Sequence, residues 1–138
     1  MNEILKDYTA VEEMPVRWGD MDARGHVNNT IYFRYFESSR IAMFRVLDLY
    51  EEPTEVRIGP ILSFQSCSYK APLTYPDTIY VGAKIETIVG SKITIKQSIV
   101  SKKRNKIVAE GEAHIIWYDY DNQKRANISE ALKQNLLK

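Results

Sequence analysis

The stretch TIYFRYFESSRIAMFRVLDL (residues 30–49) has the period of a helix. When its residues are placed at 100° steps, the following apolar side chains share one wide face: Ile31, Tyr32, Tyr35, Phe36, Ala42, Met43, Val46 and Leu47. Phe33, Ile41 and Phe44 interrupt the polar arc on the other side. The pattern therefore predicts a helix that is enclosed on more than one side, either by a sheet that wraps it or by a second subunit.

The segments on both sides of this helix have the period of strands. Residues 14–18 alternate, and Pro15, which cannot donate to a ladder, indicates that this strand lies at a sheet edge or begins late. Four more strands are predicted, joined by a KAPLTYPD turn and by hairpins at 89–91 and 102–106: residues 61–69, 78–87, 92–100 and 106–120. SEALKQNLLK (residues 129–138) predicts one or two further helical turns.

The last long strand indicates how the helix and the sheet fit together. One of its faces has the following residues, which are small in the middle: Ile107, Ala109, Gly111, Ala113, Ile115 and Trp117. Small residues there leave room for a bulky element, and the helix is the bulky element available. The sequence therefore predicts an α+β fold in which a curved antiparallel sheet of about five strands wraps around one long central helix.

Composition sets the limits on organisation and partners. With 138 residues, 44% of them hydrophobic, the chain is predicted to be one domain (residues 1–138) with a proper core. Nineteen basic and eighteen acidic residues leave a net charge of +1, so we expect no nucleic-acid or membrane partner. The sequence has no secretory signal and no run as long as a membrane span, so we expect a cytoplasmic protein. Cys67 is the single cysteine, and we expect it to be a small buried side chain.

Polar side chains are concentrated in the turn GDMDARGHVNN (residues 19–29), just before the helix. Asn28 and Asn29 stand where a helix N-cap is expected. Gly25 permits a positive φ, and a tight turn there directs Asp22 back toward the free N–H groups of the helix. Such a pair can polarise a carbonyl and attack it or activate water. The alternative is that Asp20 and Asp22 only satisfy turn amides and the helix dipole.

Two other polar residues near this turn have alternative interpretations. His26 is either a general base or a structural histidine beside Gly25. Glu37 lies between Arg34 and Arg40 at helical spacing, so we expect an ion-paired helix surface, with a second catalytic carboxylate as the alternative.

The segment VRWGDMDARGHVNNTIYFRYFE (residues 16–37) resembles the opening motif of hot-dog-fold thioesterases of the 4-hydroxybenzoyl-CoA thioesterase type, which are small acyl-CoA hydrolases. SYKAPLTYPDTIYV (residues 68–81) is similar to a later pattern of the same family, and the resemblance spans about residues 12–120. It implies that Asp22 is the catalytic carboxylate and that the main-chain N–H of Asn29 polarises the thioester carbonyl. Asp22 then either attacks the carbonyl, giving an anhydride, or deprotonates a water molecule.

The resemblance also implies partners. The acyl group would lie between subunits of a homodimer or homotetramer, and the CoA nucleotide would rest on basic side chains. The candidates for phosphate contact are Lys92, Lys102, Lys103 and Arg104, unless these are only solvated hairpin charges. The sequence has no metal-ligand cluster and no glycine-rich phosphate loop, so we expect no metal and no cofactor.

Other functions of related folds remain open at this point. Plant-type acyl-carrier-protein thioesterases have a similar run ending in HVNN, with a functional asparagine and histidine. His26 matches that histidine, but Arg24 stands where the asparagine would be. The resemblance therefore implies a thioester of CoA or of an acyl-carrier protein as the substrate, with His26 as a secondary candidate for the site. The further alternatives are a non-catalytic acyl-CoA-binding module and a hydratase that uses His26.

Overall fold

The computed structural model describes residues 3–49 and 57–137. Its main elements are, in chain order, β1 (Ala10–Pro15), α1 (Ile31–Val46), β2 (Ile58–Tyr69), β3 (Thr78–Val89), β4 (Lys92–Ser101), β5 (Lys106–Asp119), β6 (Lys124–Arg125) and α2 (Glu130–Leu136). The strands form one antiparallel sheet in the order β1-β3-β4-β5-β2, and the two-residue β6 pairs with β5. Neither helix within the described residues is long and apolar enough to span a membrane.

The sheet curls around α1, as the sequence predicts. The N-terminal half of the helix buries Tyr32, Tyr35 and Phe36 against one apolar cluster, and the C-terminal half buries Met43 and Phe44 against a second. A Cβ at Gly111 would lie 2.7 Å from the Phe36 ring, which is 1% exposed. Gly111 on β5 is thus a place where a large side chain of the helix packs directly on the sheet, and the predicted α+β arrangement is confirmed.

The first strand differs from its predicted position. It is at the sheet edge, as Pro15 indicated, because β1 pairs with β3 alone. It begins four residues earlier than predicted, at Ala10, and ends at Pro15. Trp18, which the alternation places on the same side of the strand as Met14 and Val16, is 74% exposed and begins a 3-10 turn, Trp18–Asp20. The strand cannot continue there because the Asp20 carboxylate accepts the Arg17 N–H at 3.0 Å and closes this turn.

The buried face of α1 is rotated relative to the predicted face. Val46, predicted to be in the core, is 62% exposed, whereas Phe44 is buried. Ser39 and Arg40 are buried as well, and Arg40 donates to Oε1 of Gln97 at 3.1 Å. The predicted surface position of Arg40 is therefore wrong, because β4 supplies a buried polar partner that the helical pattern does not reveal.

The position predicted for one residue of the inner face of β5 is also wrong. The register shifts where Ile99 pairs with Ala109 and Val100 pairs with Ile107, which leaves Val108 as an extra residue. Val108 is fully buried and Ile107 is only partly buried. A β-bulge changes the alternation of side chains locally, so Val108 takes the place predicted for Ile107.

Candidate active site

The turn before α1 is a small closed loop. Met21 and Val27 form an antiparallel bridge, and the Asp22 N–H donates to the His26 carbonyl at 2.9 Å. Gly25 has φ +81°, the conformation predicted for it, and its N–H donates to the Asp22 carbonyl at 3.0 Å. A positive φ at this position favours glycine, which explains how the chain reverses within so few residues.

Asp20 is a structural carboxylate. Its Oδ2 accepts the Tyr35 hydroxyl at 2.7 Å and the Arg17 N–H at 3.0 Å, and its carbonyl accepts the Asn28 N–H at 3.0 Å. Burial, together with the Asp20 carboxylate, raises the pKa of Tyr35 well above its usual value, so this hydroxyl remains a donor. Asp20 thus connects the turn to the buried face of α1.

Asp22 is exposed and has a different environment. Its Oδ1 accepts the Arg24 N–H at 2.9 Å, which makes a local turn of the kind that aspartate commonly forms. Among the described residues, no donor is bonded to its Oδ2. The carboxylate therefore bonds within its own turn, and among the described residues it makes no hydrogen bond to an N–H of α1.

The start of α1 is held by several hydrogen bonds around Asn29. Oδ1 of Asn28 accepts the Thr30 N–H at 2.9 Å, and the Asn28 carbonyl accepts the Ile31 N–H at 3.0 Å. The Asn29 carbonyl accepts the hydroxyl of Tyr69 at 2.8 Å. Within the described ranges, the main-chain N–H of Asn29 has no acceptor, so it is a donor available to a ligand at the helix N-terminus.

The two asparagines thus have different roles. The side chain of Asn28 satisfies the N–H just before the helix, close to the predicted cap. The helix itself begins one residue later than predicted, at Ile31, and its N-cap residue Thr30 makes no side-chain capping bond. For the described residues, no hydrogen bond involves the Asn29 side chain, so Asn29 contributes through its main chain.

A cleft of about 310 Å³ opens beside Asn29, and it is lined by His26, Val27, Asn29, Tyr32, Tyr69, Lys70, Ala71 and Pro72. The structure thus brings His26 and Asn29 together. Asp22 lies outside this lining, although it belongs to the same closed loop as His26. The Tyr32 and Tyr69 rings meet edge to face at 4.8 Å between centroids and form one wall of the cleft.

The predicted basic residues lie at two separate places. Lys103 lines a depression of about 510 Å³ in the β4–β5 hairpin, where its N–H donates to Asp77 Oδ1 at 3.1 Å. The neighbouring Arg104 is near enough to Tyr32 to oppose the rise in the pKa of Tyr32 that burial causes. Lys70 and Ala71, which line the cleft, donate their main-chain N–H groups to the carbonyl of Val108 just after this hairpin, so the hairpin is at the cleft end of the sheet. Lys92 begins β4 at the other end, so one chain does not bring Lys92 and Lys103 together.

Two tyrosines that shape this site are hardly indicated by the sequence. The helical pattern places Tyr35 on the apolar face, and Tyr69 is only the last residue of the predicted strand 61–69. For Tyr35 the signal is the hydroxyl group, because a buried tyrosine usually bonds through it, whereas Tyr69 is 46% exposed and gives no such signal. The partners, Asp20 and the Asn29 carbonyl, are 15 and 40 residues away in the chain and are recognised only in the structure.

Comparisons with known proteins give a consistent result. The family model of the thioesterase-like superfamily matches residues 16–136. The long-chain acyl-CoA thioesterase FadM of Escherichia coli (strain K12) is 21% identical over 124 residues, which are 90% of this chain and 94% of FadM. The PA2801 protein of Pseudomonas aeruginosa has a TM-score of 0.81 and 26% identity, covering 92% of this chain and 97% of that chain.

A thioesterase from Thermus thermophilus, whose structure contains coenzyme A and Zn, has a TM-score of 0.79 and 20% identity over 95% of this chain and 94% of that chain. At this identity the likeness concerns the fold, which is the predicted hot-dog arrangement of a curled sheet around a helix. The family match covers most of the chain. The chain therefore belongs to the thioesterase-like superfamily and is a hot-dog-fold thioester hydrolase.

Proposed function

We propose that this protein hydrolyses acyl-CoA thioesters, with Asp22 as the catalytic carboxylate and the Asn29 N–H as the group that polarises the carbonyl. The observation that carries the proposal is the unbonded Asn29 N–H beside the cleft of about 310 Å³. A free main-chain donor at the positive end of a helix stabilises the negative charge that develops on a thioester oxygen in the transition state.

The environments of the two aspartates favour Asp22 for the chemistry. Asp20 is engaged by Tyr35 and Arg17, whereas Asp22 is exposed and has one carboxylate oxygen without a donor among the described residues. In one route Asp22 attacks the carbonyl carbon, CoA leaves as the thiolate, and water hydrolyses the anhydride. In the other route Asp22 removes a proton from the water that attacks directly.

The remaining predicted contacts concern substrate binding. His26 lines the cleft next to Asn29 and is proposed to contact the substrate. Lys103 is proposed to contact the CoA phosphates, because its hairpin lies at the cleft end of the sheet. Lys92 lies at the other end, so we retain it as a phosphate contact only for a site that a second subunit helps to form.

The choice of CoA rests on relatives, namely the acyl-CoA thioesterase of E. coli and the coenzyme A complex from T. thermophilus.

A homodimer or homotetramer is supported by the exposed surface of β2, which is the last strand of the sheet. Several of its large apolar side chains are exposed: Ile58, Ile61, Leu62, Phe64 and Tyr69. An exposed apolar edge strand is a ready surface for pairing with a second copy, and the acyl group would lie near that junction.

The test is thiol release by the purified protein from a panel of short, long and aromatic acyl-CoAs. Asp22→Asn keeps an oxygen that can accept the Arg24 N–H, so it should fold normally, but kcat should fall by about 100-fold or more. Asp48→Asn is the matched control, because Asp48 is exposed, has φ +55° and lies at the other end of α1. Asparagine tolerates that backbone conformation well, so the control should retain wild-type turnover.

Each alternative function predicts a different result, either in this assay or in a second measurement. Turnover of acyl-carrier-protein thioesters alone would change the substrate to a carrier protein. Tight acyl-CoA binding by calorimetry without turnover would indicate the non-catalytic binding module. Hydration of an enoyl-CoA would indicate the hydratase, and equal thiol release by Asp22→Asn and the wild type would remove Asp22 from the mechanism.

A further inference from the structure

Tyr69, the last residue of β2, connects the edge of the sheet to the start of the helix. Its hydroxyl donates to the Asn29 carbonyl at 2.8 Å, although the two residues are 40 positions apart. Its ring packs edge to face on Tyr32, in the first turn of α1. Tyr69 is therefore fixed in two ways, by its ring on Tyr32 and by its hydroxyl on Asn29, a residue that lines the cleft.

The hydrogen bond completes the restraint of the backbone at Asn29. The peptide between Asn29 and Thr30 is held at both ends, because Tyr69 binds its carbonyl and Oδ1 of Asn28 binds its N–H at 2.9 Å. The preceding peptide is held through the Asn28 carbonyl, which accepts the Ile31 N–H. Since a trans peptide is planar, these bonds determine the direction of the Asn29 N–H that belongs to that preceding peptide.

We propose that Tyr69 is a positioning residue for the reaction, which directs the Asn29 N–H toward the thioester oxygen through the bond to the Asn29 carbonyl. This inference rests on the proposed function. Tyr69 acts through the main chain of Asn29, so its hydroxyl matters for the transition state more than for substrate binding. A donor that must be aligned with a developing oxyanion is sensitive to small displacements, and a misplacement of about 1 Å can cost about 100-fold in rate.

The hydroxyl remains a donor over the whole working pH range. Burial, with further contributions from Cys67 and Tyr32, raises the pKa of Tyr69 to about 12. The contact to the Asn29 carbonyl therefore does not titrate near neutral pH, and no loss of turnover in that region is expected from Tyr69 itself.

The test compares Tyr69→Phe with Tyr120→Phe. Both changes remove a hydroxyl that donates to a main-chain carbonyl, and the Tyr120 hydroxyl, at 2.7 Å from the Pro60 oxygen, lies outside the cleft. In Tyr69→Phe we expect kcat to fall about 10-fold or more with KM within about 3-fold of the wild type, because binding is largely kept. Tyr120→Phe should keep both parameters.

A second readout does not depend on turnover. Amide hydrogen exchange followed by NMR should show faster exchange of the Thr30 N–H in Tyr69→Phe than in the wild type, and no change in Tyr120→Phe. A wild-type kcat in Tyr69→Phe, in a preparation series where Asp22→Asn is inactive, would overturn the inference and leave the proposed function intact. A wild-type protein without thioester turnover would overturn the proposed function, and this inference with it.

Discussion

Replacement of Gly111 by alanine tests the close approach of the helix to the sheet. A Cβ at this position would lie 2.6 Å from the Ser66 main-chain oxygen and 2.7 Å from Cε2 of Phe36. The Ser66 oxygen belongs to the paired strand β2 and can move only with its strand, and the Phe36 ring is 1% exposed, so the ring has no free space to move into. The added methyl group must therefore displace the helix or distort the strand pair.

The size of the effect follows from these contacts. Overpacking in a filled core costs about 1–3 kcal/mol, and this site belongs near the upper end because one neighbour is backbone. Alanine also lowers the conformational entropy of the unfolded chain relative to glycine, which offsets about 0.4–1 kcal/mol of this cost. The expected net loss in the free energy of unfolding is about 2 kcal/mol. The entropy of unfolding is about 2.1 cal/mol/K per residue. Over the 138 residues, this loss of free energy corresponds to a fall in Tm of about 7 °C.

The assay is thermal and urea unfolding of Gly111→Ala and Gly59→Ala at one protomer concentration, because any oligomer makes Tm depend on concentration. Gly59 is also a strand glycine, but a Cβ there would meet no atom within 4 Å, so this control should stay within about 0.5 kcal/mol of the wild type. If Gly111→Ala were as stable as Gly59→Ala, the argument that α1 rests directly on β5 at this glycine would be refuted.

Two other substitutions test single features of the fold. Gln97→Leu removes a buried acceptor of Arg40 and the donor to the Phe36 carbonyl. Urea unfolding should therefore show a loss of about 2–3 kcal/mol in the free energy of unfolding. An unchanged midpoint would contradict the role given to Gln97. Hydrogen bonds from Asn122 lower the pKa of Asp119 below its usual value. The ionised carboxylate therefore stabilises the fold above about pH 4, and this stabilisation is lost as the pH falls through the pKa of the folded state. Stability curves from pH 2 to 6 should therefore be flatter at the acid end for Asp119→Asn than for the wild type, and identical slopes would contradict this account.

Local patterns were sufficient for the order of the elements. The glycine of the β3–β4 turn, Gly90, has φ +63°, and β4 begins at Lys92 as predicted, whereas β3 extends two residues beyond its predicted end, to Val89. The small residue Gly111 on β5 marked the position of the helix correctly. These features depend on residues that are close in the chain or on a simple alternation, and the sequence displays both directly.

Long-range polar contacts were beyond the reach of the same reasoning. The helical pattern treats Arg40 as a surface residue, but Gln97, which lies 57 residues away, provides a buried acceptor. The extra residue Val108 in β5 shifts the alternation where no glycine or proline marks a bulge. In both places the outcome depends on which strand is the neighbour, and periodicity within one segment does not contain that information.

The two aspartates of the opening turn show why the candidate site needed the structure. Asp20 and Asp22 are two residues apart and equally suited to a helix N-terminus by charge. Tyr35 distinguishes them, because its hydroxyl binds Asp20 and connects that carboxylate to the core. Asp20 in turn holds the Asn28 N–H, so the segment that presents the Asn29 N–H is anchored to the core through α1 as well as through β2. A donor fixed from two sides and a carboxylate left on an exposed turn are complementary properties, since the first must be aligned in advance and the second must reach a reacting atom.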